Sequence, residues 1–482
     1  MTTALSARRL ADLLGPLDGV GPAYREIADR VRLLVVDGRV ADGARLPSER
    51  ELAAALNVSR TTTTRVYAEL RESGVLQSRQ GSGSIVRLPL TASSASSLIV
   101  TPEDAGTIPL TYGAPIGPPG LARAFEAAMT RLPGLLATTG YLPDGLPVLR
   151  EILAQRYTDR GVPTEPDQIV VTSGAMGAIS LLARTLLSPG QRVVVEGVSY
   201  PHAHDSFTAA GGRLSALPVG RSPWDVDALR TLLAGSPHRA AYLIPDFHNP
   251  TGAVMGDDER SAWARELRRH DVVPVVDESL REINLDGVEL PPIFATYDPG
   301  AVLIGSSSKA YWGGLRVGWI RAPRELVMPI VQARMMDDLG SSAFDQLVVA
   351  ELLTEDGQTA AAGRARLRVT RDHLLAEMAR QLPDVQAPCP AGGLSLWVTL
   401  PERMSSRLVA AASRHGLLLT PGPRFFARAG SAGERHLRLP YNQAPDVMTE
   451  AVTRLRHAYD EVLGTAAPAT TPRTTSTLEM IA

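Results

Sequence analysis

Five short apolar runs restrict what this chain can fold into: QIVVTSG (168–174), RVVVEG (192–197), AAYLIPDF (240–247), VVPVVDES (272–279) and AVLIGSSSK (301–309). Helical patterns separate several of them. Near-continuous Val, Ile and Leu over four to six residues predicts strands covered on both faces, hence an α/β fold built on a mostly parallel sheet with helices on either side. In such sheets a ligand sits beyond the carboxyl ends of the strands. The polar residues that close each run are therefore the candidate site.

The last run ends in Lys309, and that residue is the only lysine in a chain with 49 basic residues. Arginine stays protonated and is a poor nucleophile, whereas a lysine amine can lose its proton and attack a carbonyl. A chain that writes every other long cation as arginine and keeps one amine at a strand end is what Schiff-base chemistry requires. A bias toward arginine with one chance survivor would leave the same count, so the neighbouring residues have to decide.

Those neighbours form a set. Gly174, Ala175 and Met176 open a helix after the first run, where free backbone N–H groups suit a phosphate. Many strand-to-helix turns use glycine without binding anything. Tyr200 offers a flat ring, Asn249 in FHNPTG a donor to a phenolic oxygen, and Asp277 a carboxylate able to keep a pyridine nitrogen protonated. Ser306, Ser308 and Lys309 follow, with Arg316 seven residues on. Each also reads as an ordinary surface or core polar residue, but together they supply what pyridoxal 5′-phosphate needs.

Residues 88–110 are rich in Ser, Thr, Ala and Pro without periodicity and read as a linker. The boundaries are an extension over 1–22 with one helix predicted in ARRLADLL, a first folded part over 23–87, the linker, a second folded part over 111–464 and a disordered tail over 465–482. In the first part, Ile27, Val31 and Leu34 share a helical face that Gly38 ends, and Ser48 with Glu51 has the form of a capping box. Ser59 caps a third helix, beginning Arg60, Thr61, Thr62 and ending near Gly74, whose short polar and cationic side chains suit the major groove. The tip RQGSGS brings Arg79, Gln80, Gly81 and Gly83 close to a nucleic-acid backbone. A small helical interaction module would share these features.

Bulk properties exclude several classes. The net charge of −2 rules out a polycation that coats nucleic acid, although residues 1–90 carry 13 Arg against 10 acidic residues. Cys389, the single cysteine, rules out an internal disulfide framework. No apolar run is long enough to cross a bilayer and no signal peptide is visible, so a cytoplasmic protein without a membrane partner or a metal site is expected.

The stretch LPSERELAAALNVSRTTTTRVYAELRESGVLQSRQGSGSIV (46–86) resembles the winged helix-turn-helix of GntR-type bacterial transcription regulators, in register over about forty residues. The resemblance implies contact with double-stranded DNA through Arg50, Ser59, Arg60, Thr61, Thr62 and the wing. Thr63 departs from it, standing where an aliphatic residue usually packs, and a weakened small core is expected.

Residues 111–462 resemble the fold type I aminotransferases through SSSKAYWGGLRVGW (306–319), FHNPTG (247–252) and GYLPDGLPVLREILAQRY (140–157). That resemblance implies a seven-stranded sheet, a smaller α+β subdomain and pyridoxal 5′-phosphate as cofactor. It makes Lys309 the internal aldimine, Asp277 the pyridine partner, Tyr200 the stacking ring and Asn249 the O3′ contact. Ser306, Ser308, Arg316 and the Gly174 turn become phosphate ligands. It makes Tyr141 the tyrosine that reaches a neighbouring subunit's phosphate, which implies a homodimer, and Arg438 in HLRLPYN the grip on an effector α-carboxylate. The family usually has a tyrosine two or three residues after the aspartate; Ser279 and Leu280 stand there instead, so a shifted imine pKa and poorer proton chemistry are expected. The fused arrangement resembles the MocR regulators. It implies a regulator that senses the cofactor or a small amino compound and reads paired DNA half-sites as a dimer. A working aminotransferase with an accessory DNA-binding part, and a regulator whose second part only dimerises, are the alternatives.

Overall fold

The structure of the protein, a computed structural model, describes residues 4–17, 22–36, 39–41, 43–72, 75–79, 83–86, 106–220, 222–355, 357–427 and 431–464. Gly38, Gly74, Gln80, Gly81, the linker up to residue 105 and the tail from 465 lie outside them; of Arg79 only the backbone is described.

The head comprises α1 (Ala7–Leu14), α2 (Ala23–Val36), α3 (Glu49–Leu56), α4 (Arg60–Glu72) and the hairpin β1 (Leu76–Arg79)–β2 (Gly83–Val86). The capping box is present: Ser48 Oγ accepts from Glu51 N, and the Glu51 carboxylate accepts from Ser48 N at 2.8 Å. Asn57, in the left-handed region at φ 53°, turns the chain into α4. One expectation needs correction. The segment before residue 22 is part of the head, because Leu10 and Leu14 of α1 are buried in the same core as Ile27, Val31, Leu52 and Leu70. Thr63 does not leave a hydroxyl stranded. Fully buried, it donates to the Glu49 and Arg60 carbonyls at 3.0 Å each and ties α3 to α4.

The linker reading also ends too late. Residues Ile108–Pro109 form β3, parallel to β12 (Leu417–Leu418), and Ile108 and Leu110 are buried. The body therefore begins before residue 111.

Its central sheet has the expected seven strands: β4 (Ile169–Thr172), β5 (Arg192–Val195), β6 (Arg213–Ala216), β7 (Ala240–Leu243), β8 (Val273–Asp277), β9 (Val302–Ser306) and β10 (Gly318–Arg321). They lie in the order β4-β10-β9-β8-β7-β5-β6, and only β10 runs antiparallel to its neighbours. One face packs against α5 (Leu121–Leu136), α6 (Pro147–Asp159), α9 (Val226–Gly235), α10 (Asp257–Arg269) and α13 (Ala343–Thr354). The other face packs against α7 (Gly174–Leu186), α8 (Pro201–Ala209) and α12 (Arg324–Arg334). Coverage on both sides explains the unbroken apolar runs. A smaller subdomain joins α14 (Gln358–Gln381), α15 (Ser405–Arg414), α16 (Pro445–Leu463), β12, β3 and the antiparallel pair β11 (Ser395–Thr399)–β13 (His436–Pro440) around a separate core. Among the described residues no helix is long and apolar enough to cross a membrane.

Truncating Leu10 to Ala removes a fully buried side chain and is expected to destabilise the head by about 2–5 kcal/mol. Thermal unfolding followed by circular dichroism on the full chain checks this; a head transition equal to wild type would return residues 1–22 to a detachable extension.

Candidate functional site

Because β4, β5, β7, β8 and β9 run in one direction, the residues after their carboxyl ends meet along one edge. Lys309 sits on the four-residue helix α11 (Ser307–Ala310) directly after β9, and Ser306 Oγ accepts from Ser308 N to start that helix. The Lys309 amine donates to Gly113 O at 2.7 Å. Burial, reinforced by the Arg438 guanidinium and opposed by Asp277, brings the Lys309 ammonium down to about 8. An amine in that range is neutral in roughly a tenth of the molecules near pH 7, far more than an ordinary lysine with its pKa of about 10.4, and nucleophilic attack draws on that fraction.

Asp277 ends β8 and is buried. Its Oδ1 accepts from Ser279 N and its Oδ2 from Tyr242 Oη, both at 2.9 Å. Burial pushes its carboxyl up, while the bonds from Ser279 and Tyr242 and the nearby Lys309 charge pull it back. Leu280 is buried in the smaller subdomain's core with Phe247 and Ile283, so no phenol stands after the aspartate. Tyr242, which sequence reasoning passed over, bonds the aspartate from the adjacent strand. The signal was a tyrosine inside an otherwise apolar run, on the strand paired with β8.

At the other end of this edge, Gly174 opens α7 at φ +73°, and a Cβ there would meet Arg316 Nη2 at 3.1 Å. Arg316 donates to Ser173 O at 3.2 Å. Gly318 lets β10 approach the start of α7, since a Cβ on it would lie 2.5 Å from the Gly174 carbonyl carbon. Ala175 and Met176 continue this first turn. Ser308 Oγ is buried without a partner. Tyr200 stands at the start of α8, its phenol raised to about 12 by burial and then by Asp277. The Asn249 turn is held from beneath by Asp246, which pairs with Arg260 at 2.5 Å and Arg281 at 2.8 Å, and by His248 against the buried Glu196 at 3.1 Å.

Arg438, on β13, is buried and reaches Asn249 Oδ1 at 3.4 Å and Thr111 O at 2.5 Å, with its guanidinium 4.8 Å from the Phe425 ring centroid. Its Nε is unpartnered, and burial lowers its pKa to about 10. A buried guanidinium held only by neutral acceptors and a ring has the capacity to receive an anion. Tyr141 is 66% exposed.

These residues fit pyridoxal 5′-phosphate: an amine of lowered pKa, a buried carboxylate, a glycine turn too close to Arg316 for a side chain, and a buried serine hydroxyl awaiting a partner. Thr111 Oγ1 and Asn442 Oδ1 are also buried and unsatisfied.

In the head, Arg50, Ser59, Arg60 and Thr61 are exposed and Thr62 is half-buried. One refinement applies: Ser59 Oγ accepts from Thr62 N at 3.1 Å and shares a 2.8 Å hydrogen bond with Thr62 Oγ1, so both hydroxyls are committed to the helix cap. Gly83 adopts φ +81° on the wing, with Arg45 packed against it.

Residues 126–455 match the family model for aminotransferase class I and II, and residues 23–86 that for bacterial regulatory proteins of the gntR family. The 2-aminoadipate transaminase of Thermus thermophilus is 33% identical over 337 residues, 68% of this chain and 81% of that protein. The HTH-type transcriptional regulator YdfD of Bacillus subtilis is 28% identical over 461 residues, 88% of this chain and 93% of that one. Among solved structures, LysN, the α-aminoadipate aminotransferase of Thermus thermophilus complexed with N-(5′-phosphopyridoxyl)-L-leucine, superposes with a TM-score of 0.67 at 28% identity, over 77% of this chain and 97% of that one.

With one lysine in the chain, an amine-acylating reagent reads the site directly. Peptide mapping of Lys309 modification against pH is expected to show half-maximal rate near 8; a midpoint near the ordinary lysine value of about 10.4 would contradict the buried environment.

Proposed function

The chain belongs to the aminotransferase class I and II family and carries a gntR-family helix-turn-helix head, the MocR architecture, and from that premise we propose that it is a DNA-binding regulator whose body senses pyridoxal 5′-phosphate or a small amino compound. The observation that carries this reading is a sole lysine, half-buried within electrostatic reach of Asp277, on the same chain as exposed Arg60 and Thr61 at the start of α4 and exposed Arg50 on α3. When bound, the cofactor supplies an aldehyde carbon that accepts primary amines and a ring that withdraws electrons from what is attached.

The chain's own residues then have assigned tasks. Lys309 presents an amine that loses its proton more readily than an ordinary lysine. Asp277, whose carboxylate form Ser279 and Tyr242 favour against the effect of burial, would hold a proton on the ring nitrogen. Tyr200 stacks on the ring, and Asn249 donates to its phenolic oxygen. The first turn of α7, at Gly174, Ala175 and Met176, binds the phosphate with Ser306, Ser308 and Arg316. Arg438 grips an incoming carboxylate in the bidentate geometry that guanidinium favours. Exposed Tyr141 is available to a second copy, and a two-fold dimer presents two heads to paired half-sites. Leu280, where the family usually has a phenol, removes a donor from the phenolic-oxygen side. This favours binding over turnover, and so favours a sensor over an aminotransferase with an accessory head. Arg50, Arg60, Thr61 and the wing face the DNA, in a protein that works in the cytoplasm.

Titrating the purified chain with pyridoxal 5′-phosphate is expected to produce a visible absorbance band that Lys309→Ala abolishes, and duplexes enriched by the chain from a random pool to contain repeated half-sites. Addition of L-amino acids should shift the band and alter DNA affinity without steady keto-acid production; sustained production would favour the enzyme reading. Arg60→Ala should weaken DNA binding by about tenfold or more with the band unchanged. Tyr242→Phe removes one donor from Asp277, leaves it less readily ionised and is expected to weaken the cofactor's apparent affinity roughly three- to tenfold.

A further inference from the structure

The segment Thr111–Pro115 runs between the two subdomains. Upstream lies β3, in the smaller subdomain's core, and downstream α5, against the central sheet. Four consecutive carbonyls of this strap are each taken by a side chain. Arg438 Nη2 donates to Thr111 O at 2.5 Å, Asn442 Nδ2 to Tyr112 O at 3.0 Å and to Ala114 O at 2.7 Å, and Lys309 Nζ to Gly113 O at 2.7 Å. Backbone carbonyls in a loop are ordinarily satisfied by water or by other backbone. Here they converge on three side chains, two of them the cations at the centre of the candidate site. The third, Asn442, is buried, and its Oδ1 is unpartnered.

The head rests on the same subdomain. Helix α2 packs against α15, and half-buried Asp29 of α2 has Arg414 and Arg407 of α15 in electrostatic reach. Helix α15 contributes Leu408, Val409, Ala411 and Ala412 to the core that contains Ile108 and Leu110.

We propose that the strap Thr111–Pro115 is the element through which occupancy of the site reaches the DNA-binding head, and that Asn442 is the positioning residue that holds it. This rests on the cofactor reading above. When a primary amine condenses with a carbonyl carbon, a C=N bond replaces the C=O bond and the oxygen leaves as water with both hydrogens of the neutral amine, so Lys309 gives up the N–H it donates to Gly113 O. A carboxylate on Arg438 competes with Thr111 O for the same guanidinium, and as the charged acceptor it wins. With both drawn away, Asn442 alone keeps the strap in place. The subdomain bearing β3, α15 and the docked head is then no longer tied to Lys309. A ligand shifts such an equilibrium only by its differential affinity for the two arrangements, and here that difference is two hydrogen bonds exchanged for ligand contacts.

The test is hydrogen exchange on the full chain, followed by mass spectrometry over peptides covering 106–121, where the Leu110 amide bonds Leu418 O as the last backbone bond before the strap. Pyridoxal 5′-phosphate alone is the probe, with absorbance read in parallel. Exchange is expected to rise about three- to tenfold on addition of the cofactor, the effect of withdrawing one net hydrogen bond, and not to rise in Lys309→Ala. Asn442→Ala should exchange fast without ligand, still form the absorbance band, and bind the enriched duplex with an affinity that no longer responds to ligand. A band with unchanged exchange in the wild-type chain overturns the proposal while sparing the cofactor reading. So does an Asn442→Ala chain whose DNA affinity still responds. Absence of any band overturns both.

Discussion

The site depends on parallel strands ending together. Five strands pointing the same way deliver Gly174, Tyr200, Asn249, Asp277 and Lys309 to one edge, although 135 residues separate the first from the last in the sequence. The antiparallel β10 adds Arg316 by returning from α11 toward the start of α7, where Gly174 and Gly318 lack the side chains that would block the approach. No local feature assembles these groups. The sheet does, and it holds only because helices cover both of its faces with apolar side chains.

Electrostatics give that edge its character. Lys309 and Arg438 are cations whose pKa values burial lowers, and Asp277 is a carboxyl whose pKa burial raises. Each is uncomfortable where it stands, and each is held by neutral partners: carbonyls of the strap, an amide, a phenol. Buried charges stabilise a fold poorly unless paired, so this arrangement makes physical sense as a receptor for a molecule bearing a phosphate, a protonated ring nitrogen and a carbonyl. The pairs elsewhere in the body show the contrast. Asp246 with Arg260 and Arg281, or Arg371 with Asp286, are closed ion pairs whose work is to hold loops.

Strand runs, the capping box at Ser48 and the lysine at a strand end were all legible in the sequence, because each depends on neighbours within a few residues. The strap was not. Its fastening by Lys309, Arg438 and Asn442 spans separations of 196, 327, 328 and 330 residues, and nothing in TYGAP marks its carbonyls as acceptors. Tyr242 was hidden for a related reason: within an apolar run a tyrosine reads as core, and only the pairing of β7 with β8 sets its hydroxyl against Asp277. The linker's end was misplaced because Ile108 and Leu110 become core residues only through β12, some three hundred residues away.

By itself, then, the sequence determined the two-part organisation, the class of sheet and the chemical inventory, since residue type and short-range periodicity suffice for these. Tertiary structure alone decided which side chains share that inventory's space: that Thr63 spends its hydroxyl on two carbonyls, that α1 belongs to the head, that Leu280 turns into the smaller core, and that the strap lies across the lysine. The reason is that burial and hydrogen-bond partners are properties of packing, and packing brings together residues whose sequence positions carry no trace of one another.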